Sequence, residues 1–198
     1  MAPGVIFWDV DTQADFMLAG GKLYVPGAEA IIPNLKLLTE WARDHKILVV
    51  SSMCAHHEGD DEFQEYPPHC LVGTPGQKKI PGTVLARRAV IPNRPAPVPP
   101  NLREFAQVVI EKQRYDVFTN PNTEALLERL GRGLEVVLYG VVTEVCVAYA
   151  ARGLLECGYR VRLVRDAIHH LDEAKGRALA DEVARRGGEV TTTTAVLA

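Results

Sequence analysis

Apolar residues along the chain fall into short unbroken runs and into stripes with helical spacing, and the two patterns alternate. Val5-Ile6-Phe7-Trp8-Asp9-Val10-Asp11 is rich in β-branched and aromatic residues and ends in acids, which predicts a buried first strand. A glycine-marked loop through Gly20, Gly21 and Gly27 follows. From Glu29 to His45, Ile31, Leu35, Leu38 and Trp41 recur at the spacing of one helix face, with Pro33 suited only to the first turn. Further runs predict strands over Lys46 to Ser52 (polar at its end), Gln107 to Lys112, Glu135 to Gly140, Tyr159 to Val164 and Val190 to Thr194. Asn120 reads as an N-cap with Pro121 at the first helical position, ahead of Ala125, Leu126, Leu127 and Leu130. Two more helices are predicted, Glu144 to Cys157 with Gly158 ending it, and polar-faced Asp172 to Arg186. Met53 to Pro100 shows no regular pattern and carries prolines at 92, 95, 97, 99 and 100. Irregular segments of that length inside compact domains are commonly functional.

Strands alternating with helices predict the α/β class, a mostly parallel, doubly wound sheet covered on both faces. Residues 1–198 read as a single domain, long enough to bury a full core. Ligands of such sheets lie beyond the carboxyl ends of the strands, near a topological switch point. The balance of 22 basic against 25 acidic side chains gives a net charge of −3, which argues against a nucleic-acid or anionic-membrane binder. No apolar stretch approaches the length of a membrane span, and Met1-Ala2-Pro3-Gly4 does not resemble a signal peptide. Four cysteines (54, 70, 146 and 157) without a C-x-x-C pair suit a cytoplasmic protein with free thiols.

Three polar residues fall at strand ends: Asp11, Lys112 and, just past the fourth strand, Cys146. A cysteine in the first turn of a helix meets unpaired N–H groups and the positive end of the dipole, both favouring a thiolate. Those amides can also face the oxyanion formed when sulfur attacks a carbonyl. Asp11 can accept the thiol proton if burial or its neighbour Asp9 raises its pKa, and Lys112 can balance both charges. Taken singly, each has a plain alternative: a buried small residue, a loop-capping carboxylate, an exposed strand-end charge. Cys70 and Cys157 take the first of these, as buried thiols.

Asp11-Thr12-Gln13-Ala14-Asp15-Phe16 resembles the D-x-Q-x-D-F motif of the isochorismatase-like cysteine hydrolases, which include nicotinamidases. Glu111-Lys112 matches the family's lysine, and Gly140-Val141-Val142-Thr143-Glu144-Val145-Cys146-Val147 its nucleophile motif. The resemblance implies a three-layer α/β/α fold and an Asp11–Lys112–Cys146 triad. It also implies a cis peptide between Val141 and Val142, and an oxyanion hole from the amides of Val142 and Cys146. Phe16 and Tyr66 match aromatic positions that flank the substrate ring in nicotinamidases; core or rim packing is the alternative. A homo-oligomer is expected by the same analogy.

A second cluster, Cys54-Ala55-His56-His57, then Asp60, Asp61, Glu62 and Pro67-Pro68-His69-Cys70, has the ligand types of a zinc-like site. Pro68 to Gly76 resembles the nicotinamidase segment P-x-H-C-x-x-G-T-x-G, but the family's aspartate ligand falls on Cys54. Two readings stand: a softer site of Cys54, His56 and His69, or weak or absent metal. The family's further histidine has no clear counterpart, and Glu62 lies nearer its expected spacing. The function implied is hydrolysis of a small carboxamide, nicotinamide foremost, through a cysteine thioester. Another hydrolase of the superfamily (isochorismatase, carbamoyl or maleamic-type amidase) and a non-catalytic binding protein on the same fold are the alternatives.

Overall fold

A computed structural model describes residues 4–198; the expectation drawn from Met1-Ala2-Pro3 lies outside the described residues. Seven strands form one sheet: β1 (Val5–Val10), β2 (Val49–Cys54), β3 (Arg88–Ile91), β4 (Gln107–Lys112), β5 (Glu135–Val141), β6 (Arg160–His169) and β7 (Glu189–Thr191). Their order is β3-β4-β2-β1-β5-β6-β7, and every neighbouring pair is parallel. Chain progression leaves β1 toward β2 on one side and resumes at β5 on the other. The switch point therefore lies at β1.

Both faces of β1 are buried, which is why it reads as an almost continuous apolar run. Ile6, Trp8 and Val10 pack with Leu126, Leu154 and Leu179 of α3 (Thr123–Leu130), α4 (Ala148–Glu156) and α5 (Glu173–Arg185). Phe7 faces the opposite layer, with Leu35 and Leu38 of α2 (Ile32–Asp44) and Val196 of α6 (Thr193–Leu197). A short helix, α1 (Ala14–Met17), follows β1 directly. The arrangement is α/β/α, as the resemblance implied. Among the described residues, no helix is long and apolar enough to cross a membrane.

The departures from expectation have local causes. β3 is a four-residue edge strand inside the proline-rich segment, too short and too exposed to give a periodic signal. Asn120 stands two residues ahead of the cap position: its Oδ1 accepts from the Asn122 N–H at 2.8 Å and its Nδ2 donates to the Pro92 and Glu111 carbonyls, and the helix starts at Thr123 with Asn122 at its cap position. The last strand stops at Thr191 because the Thr192 hydroxyl accepts from the Ala195 amide and opens α6. The fifth expected strand runs on to His169, with its register to β5 shifting between Leu138 and Gly140. Cys157 is exposed beyond α4 rather than buried, while Cys70 is buried as expected.

Candidate active site

Four adjacent strands deliver one reactive side chain each to the carboxyl end of the sheet. Asp11 follows β1, Cys54 and Lys112 end β2 and β4, and Cys146 sits in a π-helical turn (Thr143–Val147) after β5. The register pairs Cys54 with Lys112 and Val10 with Gly140. Gly140 adopts φ +124°, and a β-carbon there would collide with the Val10 carbonyl. Only glycine lets the β5 backbone lie this close to the strand that carries Asp11.

Lys112 is fully buried at the centre of the group. Its Nζ lies 2.9 Å from the Asp11 carboxylate, 3.1 Å from Cys54 Sγ, 3.0 Å from the Arg114 carbonyl oxygen and 3.7 Å from Cys146 Sγ. An ammonium has three protons for these four partners, and Cys146 is the most loosely held. Ser52 Oγ donates to the other Asp11 oxygen at 2.7 Å. Burial opposes the Lys112 charge, but Asp11 and the two sulfurs outweigh it and hold the lysine pKa above its ordinary value. Burial pushes the Cys146 thiol well above its ordinary pKa, Lys112 offsets this only in part, and a hydrogen bond with Asp11 favours the protonated form. The helix-terminus amides and Lys112 favour a thiolate, as the sequence reading had it, but burial outweighs them and favours the thiol, whose proton Asp11 was expected to accept.

Asp9 does not act on this group as expected. It is paired with Lys79 at 2.9 Å and accepts from the hydroxyls of Thr12 and Ser51. The Val141–Val142 peptide is cis. The Val142 carbonyl accepts from the amides of Val145 and Val147, both at 3.1 Å, and the Cys146 N–H between them makes no bond to that oxygen.

A cavity of about 100 Å³ opens above the sulfur, with Phe16, Tyr66 and Val142 in its wall together with Cys54, His69 and Cys146. The Phe16 ring lies 5.3 Å from the His69 ring. Cys54, His56 and His69 bring one ligand atom each to within 4.8 Å of one another. His56 Nδ1 is bonded to Asp60 and His69 Nδ1 to the Pro67 carbonyl, which orients both rings with Nε2 inward. Both Nε2 atoms approach the Glu62 carboxylate, at 3.8 and 3.6 Å. His56 Nε2 and Glu62 Oε2 are buried without a hydrogen-bond partner. Burial lowers the pKa of His56 to about 4 and that of His69 as well, leaving neutral imidazoles with lone pairs free. Burial pushes the Cys54 thiol up to about 12, so a cation must displace its proton to bind sulfur. The unpartnered Nε2 of His56, the inward Nε2 of His69, a carboxylate and a sulfur together fit a divalent cation.

Glu62 lies beside the Cys54, His56 and His69 group that the sequence reading gave, within 3.8 Å of both imidazole Nε2 atoms. Two positioning residues were given no role by the sequence reading, though Gln13 stood in the quoted D-x-Q-x-D-F motif. One is Ser52, signalled only by the polar end of its strand. The other is Gln13, whose amide donates to the Cys54 carbonyl at 2.8 Å and accepts from the Cys54 N–H at 2.7 Å. Tyr115 and Leu171, which also line the cavity, gave no signal because they come from separate loops.

Comparison with known proteins bears on this geometry. The isochorismatase domain matches residues 6–195. An uncharacterised isochorismatase family protein, PncA, of Bacillus subtilis (strain 168) is 30% identical over 178 residues, covering 86% of this chain and 88% of that protein. A streptothricin hydrolase of Streptomyces noursei is 31% identical over 174 residues, covering 88% of this chain and 52% of that protein. A solved pyrazinamidase of Pyrococcus horikoshii in complex with zinc superposes with a TM-score of 0.75 at 25% identity, over 96% of this chain and 99% of that one. A domain match over nearly the whole described chain thus coincides with an all-parallel sheet that gathers Asp11, Lys112 and Cys146 at its switch point, and the chain belongs to the isochorismatase family of hydrolases.

Proposed function

We propose that this hydrolase is a cysteine amidohydrolase acting on a small planar carboxamide, with nicotinamide the first candidate. The observation that carries the reading is the Cys146 sulfur 3.7 Å from Lys112 Nζ, which is itself ion-paired with Asp11 at 2.9 Å, in the lining of a cavity of about 100 Å³. Asp11 takes the thiol proton as sulfur attacks the amide carbon, and the N–H groups of Val142 and Cys146 receive the developing oxyanion. The C–N bond breaks, Asp11 returns the proton to the departing ammonia, and an acyl thioester remains on Cys146. Asp11 then takes a proton from water, which attacks the thioester; the C–S bond breaks to give the acid and the thiol. Lys112 stays charged throughout and offsets the negative charge moving between oxygen and sulfur.

Cys54, His56, Glu62 and His69 would hold a zinc ion. When bound, zinc supplies a fixed Lewis-acidic point that orients a ring nitrogen or water, and orientation of this kind can contribute several kcal/mol. The zinc in the similar pyrazinamidase supports this assignment. Phe16 and Tyr66 would flank the ring. Ammonia release from nicotinamide, with Cys146→Ala as control, tests the reading; undiminished release by that variant eliminates the nucleophile. Carbamoyl and maleamic-type amides in the same assay rank the rival substrates.

A further inference from the structure

The mouth of the cavity differs in character from its floor. Leu171 lines the cavity yet is 60% exposed, which places it at the rim. Tyr115 also lines the cavity, and its ring packs against Tyr149 with centroids 5.0 Å apart. Tyr149 lies beyond the cavity lining and is itself 37% exposed. Half-buried Leu23, Tyr66 and Val145 extend this apolar surface inward toward Cys146. The carboxylate and imidazole of the lining, Glu62 and His69, are buried. The lining that holds the reacting sulfur thus includes apolar and aromatic side chains that reach solvent at Leu171 and, through the Tyr115 ring, at Tyr149. A cavity of about 100 Å³ is filled by one ring and its carboxamide, so a bare ring would leave the outer lining wet. Exposed apolar surface adjoining a pocket marks a place where a ligand covers it.

We propose that the preferred substrate is a planar carboxamide bearing an apolar substituent, which leaves the cavity and lies on Leu171, Tyr115 and Tyr149. The proposal rests on the amidohydrolase reading above. The carboxamide sits at Cys146, and the substituent follows this apolar lining outward. Half-burying three methylene groups there raises kcat/KM about tenfold over the unsubstituted amide.

The test is ammonia release from nicotinamide and from nicotinamides carrying a propyl group at ring carbon 4, 5 or 6. At least one propyl isomer should exceed nicotinamide about tenfold in kcat/KM. Leu171→Ser and Tyr149→Ser should each cut that ratio to below about threefold. A ratio within one variant is independent of how much of that variant is folded, so partial misfolding does not mimic the effect. If nicotinamide is hydrolysed but no propyl isomer is preferred, or if the ratio survives both substitutions, the proposal is overturned and the amidohydrolase reading stands. A surviving ratio with altered size on gel filtration assigns the rim to a subunit contact, which also overturns it. If none of the amides releases ammonia, the amidohydrolase reading falls and this proposal with it.

Discussion

Replacing Gln13 with alanine should destabilise the fold far more than an ordinary loss of a polar side chain. The ladder between β1 and β2 ends at Val10 and Ser52, two residues short of Cys54. Beyond that point the Gln13 amide stands in for a strand peptide, meeting both the N–H and the carbonyl of Cys54, and it also donates to the Gln77 carbonyl at 2.7 Å. Gln13 and Cys54 are both buried, so water cannot easily replace the lost partner. Each buried polar group left unsatisfied costs about 1–3 kcal/mol, and admission of water on the half-exposed Gln77 side reduces the third term. The expected loss is about 3–5 kcal/mol, against a total stability of about 5–15 kcal/mol for a domain, so the variant remains folded in buffer. Urea unfolding followed by tryptophan fluorescence would show a lower midpoint with an unchanged slope. A loss below about 1 kcal/mol would refute the claim that this side chain replaces a strand. The Gln13→Glu variant should recover only part of the loss, because a carboxylate accepts from the Cys54 amide but cannot donate.

Other consequences are as direct. Lys79→Met strands the buried Asp9 carboxylate and should cost about 3–5 kcal/mol in the same unfolding assay, with Asp9→Asn in the same chain restoring part of it. Because burial holds the Cys146 thiol protonated, alkylation of that residue by iodoacetamide should rise about tenfold per pH unit up to and beyond pH 9. A plateau below pH 8 would mean a resting thiolate and contradict the burial argument. Metal analysis should find about one zinc ion per chain after growth with zinc, and His69→Ala should remove it; native protein without metal would sink the ligand set. With cobalt in its place, the near-ultraviolet sulfur-to-metal absorption should be present in the native chain and absent in Cys54→Ser, whereas its persistence would exclude Cys54 as a ligand.

The alternation of strand and helix was legible because the central strands are buried on both faces, so β1, β4 and β5 are nearly unbroken apolar runs. The motif residues were legible as strand ends, where an apolar run gives way to acid, lysine or a glycine turn. Edge strand β3 was not, since four residues beside solvent need no apolar periodicity. The start of α3 was misplaced because Asn120 does accept a backbone N–H, that of Asn122, but in a turn ahead of the helix, where its Nδ2 also ties down the Pro92 and Glu111 carbonyls. The protonation state of Cys146 was also out of reach. A helix terminus and a lysine argue for the thiolate, burial argues against it, and only the packed fold sets their balance. The cavity rim was invisible for a related reason, as Tyr115, Tyr149 and Leu171 come together from three separate segments.

The separation of Asp9 from Asp11 shows how a small backbone feature divides labour within one strand. Residues two apart in a strand face the same side, so periodicity alone would give both aspartates to one environment. Their partners show otherwise: Asp9 accepts from Ser51 and Asp11 from Ser52, neighbours on β2 whose side chains leave opposite faces of the sheet. The turn happens at Asp11 itself, where β1 has ended and φ is +49°. Aspartate tolerates that left-handed conformation better than most residues do. The consequence is two buried aspartate–lysine pairs built on one short segment. Asp9–Lys79 fastens the 76–83 segment beside β1, and Asp11–Lys112 faces the cavity. A β-branched residue at position 11 would lose the carboxylate and also resist the turn that aims it. The acid at this position is therefore selected by backbone geometry as well as by the chemistry proposed for it.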